Sequence, residues 1–108
     1  MAKTRQEIAA IIKKYRDALS LLGVRTERVI LYGSYAVDKA KDESDIDLVI
    51  VSPDFQDKDI RERLELLGVA SARIMEPVQA LGATPGEIDS EEKSAFMREV
   101  LMHGRVAA

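Results

Sequence analysis

Leu31-Tyr32-Gly33-Ser34-Tyr35-Ala36 and Ser44-Asp45-Ile46-Asp47-Leu48-Val49-Ile50 decide the reading of this 108-residue chain. Ten residues, 35–44, lie between Ser34 and Asp45. The first segment closes the apolar, β-branched run Arg28-Val29-Ile30-Leu31-Tyr32, which predicts a buried strand ending at Gly33-Ser34. Gly permits close approach of the backbone. If a helix follows over Ser34–Ala40, as its small residues suggest, its free amides and positive dipole end would face an anion. The Ser34 hydroxyl adds one more donor. In the second segment, alternate strand residues share a face, so Asp45 and Asp47 stand side by side while Ile46 enters the core. Two carboxylates that close raise each other's pKa unless a cation lies between them. Hard oxygen ligands of this kind suit Mg²⁺, which keeps several waters and takes other ligands from substrate phosphates. Taken singly, each feature has a plain alternative. Gly-Ser after a strand is common, and the Asp pair fits the solvent face of an edge strand.

Working outward, Thr4 and Glu7 have capping-box spacing. Ile8, Ile11, Ile12, Tyr15, Leu19 and Leu22 then recur at helical period up to Gly23, a natural left-handed stop. Beyond Ser52-Pro53, Asp57 is read as the cap of a helix carrying Ile60, Leu64 and Leu67 and stopping at Gly68. Residues 72–80 read as a third strand, and Pro77 suggests that it lies at an edge or ends near there. Residues 82–86 read as a loop. A last helix is expected from near Asp89, with Glu92 in capping-box position, through Phe96, Met97, Val100 and Leu101 to Gly104. The pattern predicts an α/β (α+β) fold in which a small sheet is covered by helices, as one domain over 1–108. Strand order is not readable.

Composition narrows the function. With 46% hydrophobic and 32% charged residues, the chain is a globular domain, and a 5% aromatic content leaves a core of Ile, Leu, Val and Ala. There is no Cys, which excludes disulfides, thiolate metal sites and cysteine nucleophiles. A net charge of -3 argues against sequence-independent nucleic-acid binding. No apolar run reaches the roughly 20 residues of a membrane span, and the N-terminal segment lacks a signal-peptide core. The expected location is the cytoplasm.

Together, Gly33-Ser34-x10-Asp45-x-Asp47 and its apolar flanks closely resemble the polymerase-β-like nucleotidyltransferase superfamily, above all its minimal single-domain prokaryotic members. The resemblance implies a small mixed β-sheet flanked by helices. It implies that Asp45 and Asp47 hold Mg²⁺, two ions in that superfamily, and that a third carboxylate on a following strand completes the site. Glu76, in Ile74-Met75-Glu76-Pro77, is the best candidate for that third ligand, and an ordinary strand-end Glu is the alternative. Asp54, Asp57 and Asp59 fit less well. Gly33 and Ser34 would hold the β- and γ-phosphates of a nucleoside triphosphate such as ATP, and Ser44 would orient the carboxylates or the turn. Attack of a hydroxyl on the α-phosphate then releases pyrophosphate.

The chain departs from its relatives at Tyr35, where a basic residue is common, and at Val37-Asp38, where Gly is common. Burial is the expected fate of Tyr35, and Lys39 and Lys41 are expected to be solvated or to meet phosphate. His103 is expected at a helix end. Minimal members commonly pair with a helical HEPN-type toxin, which implies an antitoxin that transfers AMP to a toxin tyrosine. A non-catalytic binder of such a toxin, or a small-molecule nucleotidyltransferase working as a homo-oligomer, are the alternatives.

Overall fold

The computed structural model describes residues 2–108. Helix α1, Arg5–Leu21, starts at the expected capping box: Thr4 Oγ accepts from the Glu7 amide and the Glu7 carboxylate accepts from the Thr4 amide. Its buried face carries Ile8, Ile11, Ile12, Tyr15, Ala18 and Leu19. Strand β1, Arg28–Tyr32, follows; then come one 3₁₀ turn at Gly33–Tyr35 and strand β2, Ile46–Val51. Another 3₁₀ turn, Pro53–Phe55, leads to helix α2, Ile60–Ile74, strand β3, Val78–Ala83, and the short helix α3, Pro85–Asp89. Helix α4, Ala95–His103, and a two-residue strand β4, Arg105–Val106, end the chain's described elements.

The sheet order is β3-β2-β1-β4, with β1 antiparallel to both β2 and β4, and β3 parallel to β2. Its two faces are covered differently. Under α1 and α2 lie Val29, Leu31, Ile46, Leu48, Ile50 and Val78; on the other face Ile30, Val49, Val51 and Ala83 meet Ile88 of α3 and Val100 of α4. The helices α1 and α2 are tied by Tyr15, whose hydroxyl donates to the Leu67 carbonyl at 2.8 Å. Burial pushes that phenol up to about 12. The mixed α/β architecture matches the expectation, and so does the edge position of β3. No helix among the described residues is long and apolar enough to cross a membrane.

Several boundaries differ from the sequence reading, each for a local reason. Asp59, not Asp57, caps α2, because only Asp59 has Glu62 at the reciprocal capping-box position. The helix continues past Gly68, which costs it about 1 kcal/mol, because the buried anchors Leu67 and Ala70 straddle that glycine. Left-handed Met75, at φ 55, ends it instead. The third strand therefore begins after Pro77, six residues later than expected, and takes in the first two residues of the predicted loop, ending at Ala83. Thr84 and Glu87 then form another capping box with Pro85 at the first helical position. The last helix starts at Ser94, whose hydroxyl accepts from the Met97 amide, and not at Asp89. The expected two-turn helix over 34–40 is a single 3₁₀ turn, since Asp38 takes φ 56 and breaks any helical continuation.

Candidate active site

Gly33, at φ 72, turns the chain out of β1 in a conformation that an L side chain rarely adopts. A Cβ built there would overlap Asp47 Oδ2 and lie 3.1 Å from its Cγ. The Gly33 backbone and the Asp47 carboxylate are therefore packed directly together, which brings the two sequence segments into one site. Gly33 also accepts from the Ala36 amide at 3.1 Å, closing the turn that carries Ser34. With only three residues in that turn, the dipole of a full helix is not available here.

At the start of β2, Ile46 is wholly buried and Asp47 half-buried, and Asp45, the residue just before the strand, is exposed. Alternation puts Asp47 on the α3–α4 side of the sheet, with Val49 and Val51. Burial first, and the Asp45 charge second, raise Asp47 above the ordinary carboxylate value. Tyr32, paired with Asp47 across β1 and β2, is raised by burial and then by the Asp47 charge. A pair held in this state favours a cation. Two adjacent hard oxygen donors open to solvent fit one Mg²⁺ that completes its shell with water and phosphate.

The other predicted residues separate clearly. Ser44 Oγ accepts from the Lys41 amide at 2.7 Å and the Ser44 amide donates to the Lys41 carbonyl, so this serine orders the turn leading into Asp45. Glu76 lies in the turn before β3, and its carboxylate stands 3.8 Å from Lys14 of α1. Its charge is thus paired with that of α1. Among the described residues, no group of three or more His, Cys, Asp or Glu side chains is arranged to hold a metal ion. Asp54 serves the fold instead. It accepts from the Arg25 backbone and guanidinium, and these bonds hold its carboxyl below the usual range.

Tyr35 is buried as expected. Its hydroxyl accepts from the Lys3 amide and its carbonyl from Arg105, so a nucleobase would have to stack elsewhere. The sequence reading gave no role to Tyr32, yet its ring meets Phe96 edge-on at 5.7 Å. Phe96, which is 49% exposed, thus extends an aromatic surface beside Asp47. The two are 64 positions apart, 96 minus 32, and only the packing of α4 across β1 joins them. His103, in the last turn of α4, is exposed and lies 3.5 Å from Glu99.

The model of the nucleotidyltransferase domain family matches residues 12–101, which include both carboxylates and the Gly-Ser turn. The chain belongs to that family. Among curated proteins, a candidate protein adenylyltransferase of Methanocaldococcus jannaschii is 35% identical over 66 residues, which cover 60% of this chain. The match covers 65% of that relative's own length. The fold has counterparts in solved structures. A candidate nucleotidyltransferase from Sulfolobus solfataricus superposes over 98% of this chain and 87% of its own, with a TM-score of 0.59 and 18% identity. A toxin-antitoxin structure with AMP-PNP matches over 91% and 69%, with a TM-score of 0.59 and 22% identity. A tri-AMPylated HEPN toxin of Shewanella oneidensis in complex with its MNT antitoxin matches over 97% and 72%, with a TM-score of 0.56 and 20% identity. Like them, this nucleotidyltransferase domain is a mixed sheet flanked by helices.

Proposed function

We propose that this nucleotidyltransferase domain transfers AMP from ATP to a hydroxyl of a protein partner, acting as the antitoxin of a HEPN-type toxin whose tyrosine is the acceptor. The observation that carries this reading is the packing of Asp47 against Gly33, which sets a carboxylate pair beside a Gly-Ser turn. The adenylyltransferase name of the archaeal relative and the AMPylated toxin beside one structural neighbour support the choice of AMP and of a protein acceptor.

The roles follow from chemistry. Asp45 and Asp47 hold Mg²⁺, which when bound offsets their charge and draws electron density from the α-phosphate. Gly33, lacking a side chain, lets the triphosphate approach the backbone, and Ser34 donates to a phosphate oxygen. Ser44 holds the turn that aims Asp45. The Tyr32–Phe96 surface gives the base or the acceptor ring an aromatic neighbour. Glu76 takes no part in this arrangement.

A second reading, a non-catalytic module that neutralises a toxin by contact, is favoured by one observation: the Glu76 carboxylate stands 3.8 Å from Lys14. Thermal denaturation with each nucleoside triphosphate, with and without Mg²⁺, tests the site. A ligand present at about 100 times its dissociation constant adds roughly 2.7 kcal/mol. The expected result is a Mg²⁺-dependent rise with ATP that disappears in Asp45→Asn/Asp47→Asn. Absence of a rise with every nucleotide overturns the enzymatic reading. A rise without AMP appearing on a co-expressed toxin supports the second.

A further inference from the structure

The sheet register shows what flanks Asp47. On β1 its partner is Tyr32, and on β3 its partner is Gln79. The core clusters fix which way β3 faces. Val78 and Ala80 pack with Ile46 and Leu48 under α1 and α2, whereas Ala83 packs with Val49 and Val51 on the opposite side. Strand alternation then sets Gln79 on the same face as Asp47, and it is exposed there. The group beside the carboxylate pair on the following strand is therefore an amide. Its oxygen accepts and its nitrogen donates, but it brings no negative charge.

We propose that the site takes one divalent cation with its nucleoside triphosphate, and that Gln79 is the specificity-determining residue that limits it to one. This deepens the nucleotidyltransferase reading above and rests on it. Two neighbouring carboxylates, Asp45 before β2 and Asp47 on it, and the nucleotide's phosphates suffice for a single ion. A second ion would have to share the same two carboxylates, with neutral donors on both neighbouring strands. Glu76, the acid the sequence favours as a third ligand, stands instead 3.8 Å from Lys14 of α1. The acceptor hydroxyl then receives no second cation from this chain, so its proton must pass to a base that the protein partner or the solvent supplies.

The test counts ions and does not depend on turnover. The full chain is dialysed to equilibrium against Mn²⁺ and α,β-methylene-ATP, and bound Mn²⁺ is measured by electron paramagnetic resonance. One Mn²⁺ per chain is expected for the wild type and for Glu76→Gln. A second, spin-coupled Mn²⁺ is expected in Gln79→Asp or Gln79→Glu, whose exposed position leaves the fold intact by circular dichroism. Two ions in the wild type overturn the proposal, and loss of one of them in Glu76→Gln hands the third position to Glu76. One ion in both Gln79 variants also overturns it. No nucleotide-dependent Mn²⁺ in a folded wild type sinks the underlying site as well, so the two failures are distinct.

Discussion

Replacing Gly33 with Ala perturbs the contact on which the site is built, and the structure allows the cost to be divided into two parts. The first is conformational. At φ 72 an L residue sits in the left-handed region, which costs about 1–2 kcal/mol. The second is steric, because the added Cβ overlaps the Asp47 carboxylate. Overpacking typically costs about 1–3 kcal/mol, and the half-exposed carboxylate can swing aside, so the lower part of that range applies. Together the loss is about 2–4 kcal/mol, enough to lower the melting temperature on the order of 10 °C in a domain of this size. Urea denaturation followed by circular dichroism measures it. The same substitution in an Asp47→Ala background retains only the conformational part, so the two sites should couple by about 1–2 kcal/mol. A coupling within about 0.5 kcal/mol of zero, the scatter of independent sites, would show that Asp47 does not rest on Gly33. The reasoning about the site would then fail.

Two further outcomes follow from the same physics. Asp47 is raised by burial and by Asp45, so its ionisation destabilises the folded chain above its folded pKa. In metal-free buffer Asp47→Asn should be more stable than wild type near neutral pH. The advantage should shrink as pH falls through the raised value and vanish below the ordinary 3.8; urea midpoints across that range that show a constant or growing advantage refute it. Arg63 joins α2 to the loops beneath it: its guanidinium donates to both Glu87 oxygens, at 2.7 and 3.2 Å, and to the carbonyls of Phe55, Lys58 and Gly82. Arg63→Ala should cost roughly 2–3 kcal/mol in urea titration, the scale of a few charge-assisted hydrogen bonds, and a cost below about 1 kcal/mol contradicts the network. Glu87→Gln should cost less, since that carboxylate is half-exposed and solvent replaces its partner.

The departures at Tyr35 and Asp38 acquire physical content in the structure. Tyr35 fills the core next to α1, which a basic side chain would do only by leaving its charge at the rim. Asp38 adopts φ 56, a position where glycine carries no steric cost and where Asp and Asn are the side chains best tolerated. The Gly expected there and the Asp found there answer the same backbone demand. Asp38 is a solution to a turn.

The sequence by itself determined those features that are written locally. Strand alternation put Asp45 and Asp47 together and Ile46 inside, helical period chose the buried face of α1, and the Thr4–Glu7 pair located its start. Each rests on residues a few positions apart, where backbone geometry alone relates one side chain to the next. β3 does lie at an edge, but Pro77 precedes the strand and marks only where it begins. The tertiary structure decided what depends on pairing between distant segments. The parallel register of β2 and β3 selects Gln79 as the neighbour of Asp47, and a shift of one residue would have exposed the other face of the strand. The continuation of α2 past Gly68 moved that strand six residues along and left Glu76 against Lys14, because buried Leu67 and Ala70 outweigh the propensity of one glycine. Register and long-range packing are set by the sum of many contacts across the sheet, and no short stretch of sequence contains that sum.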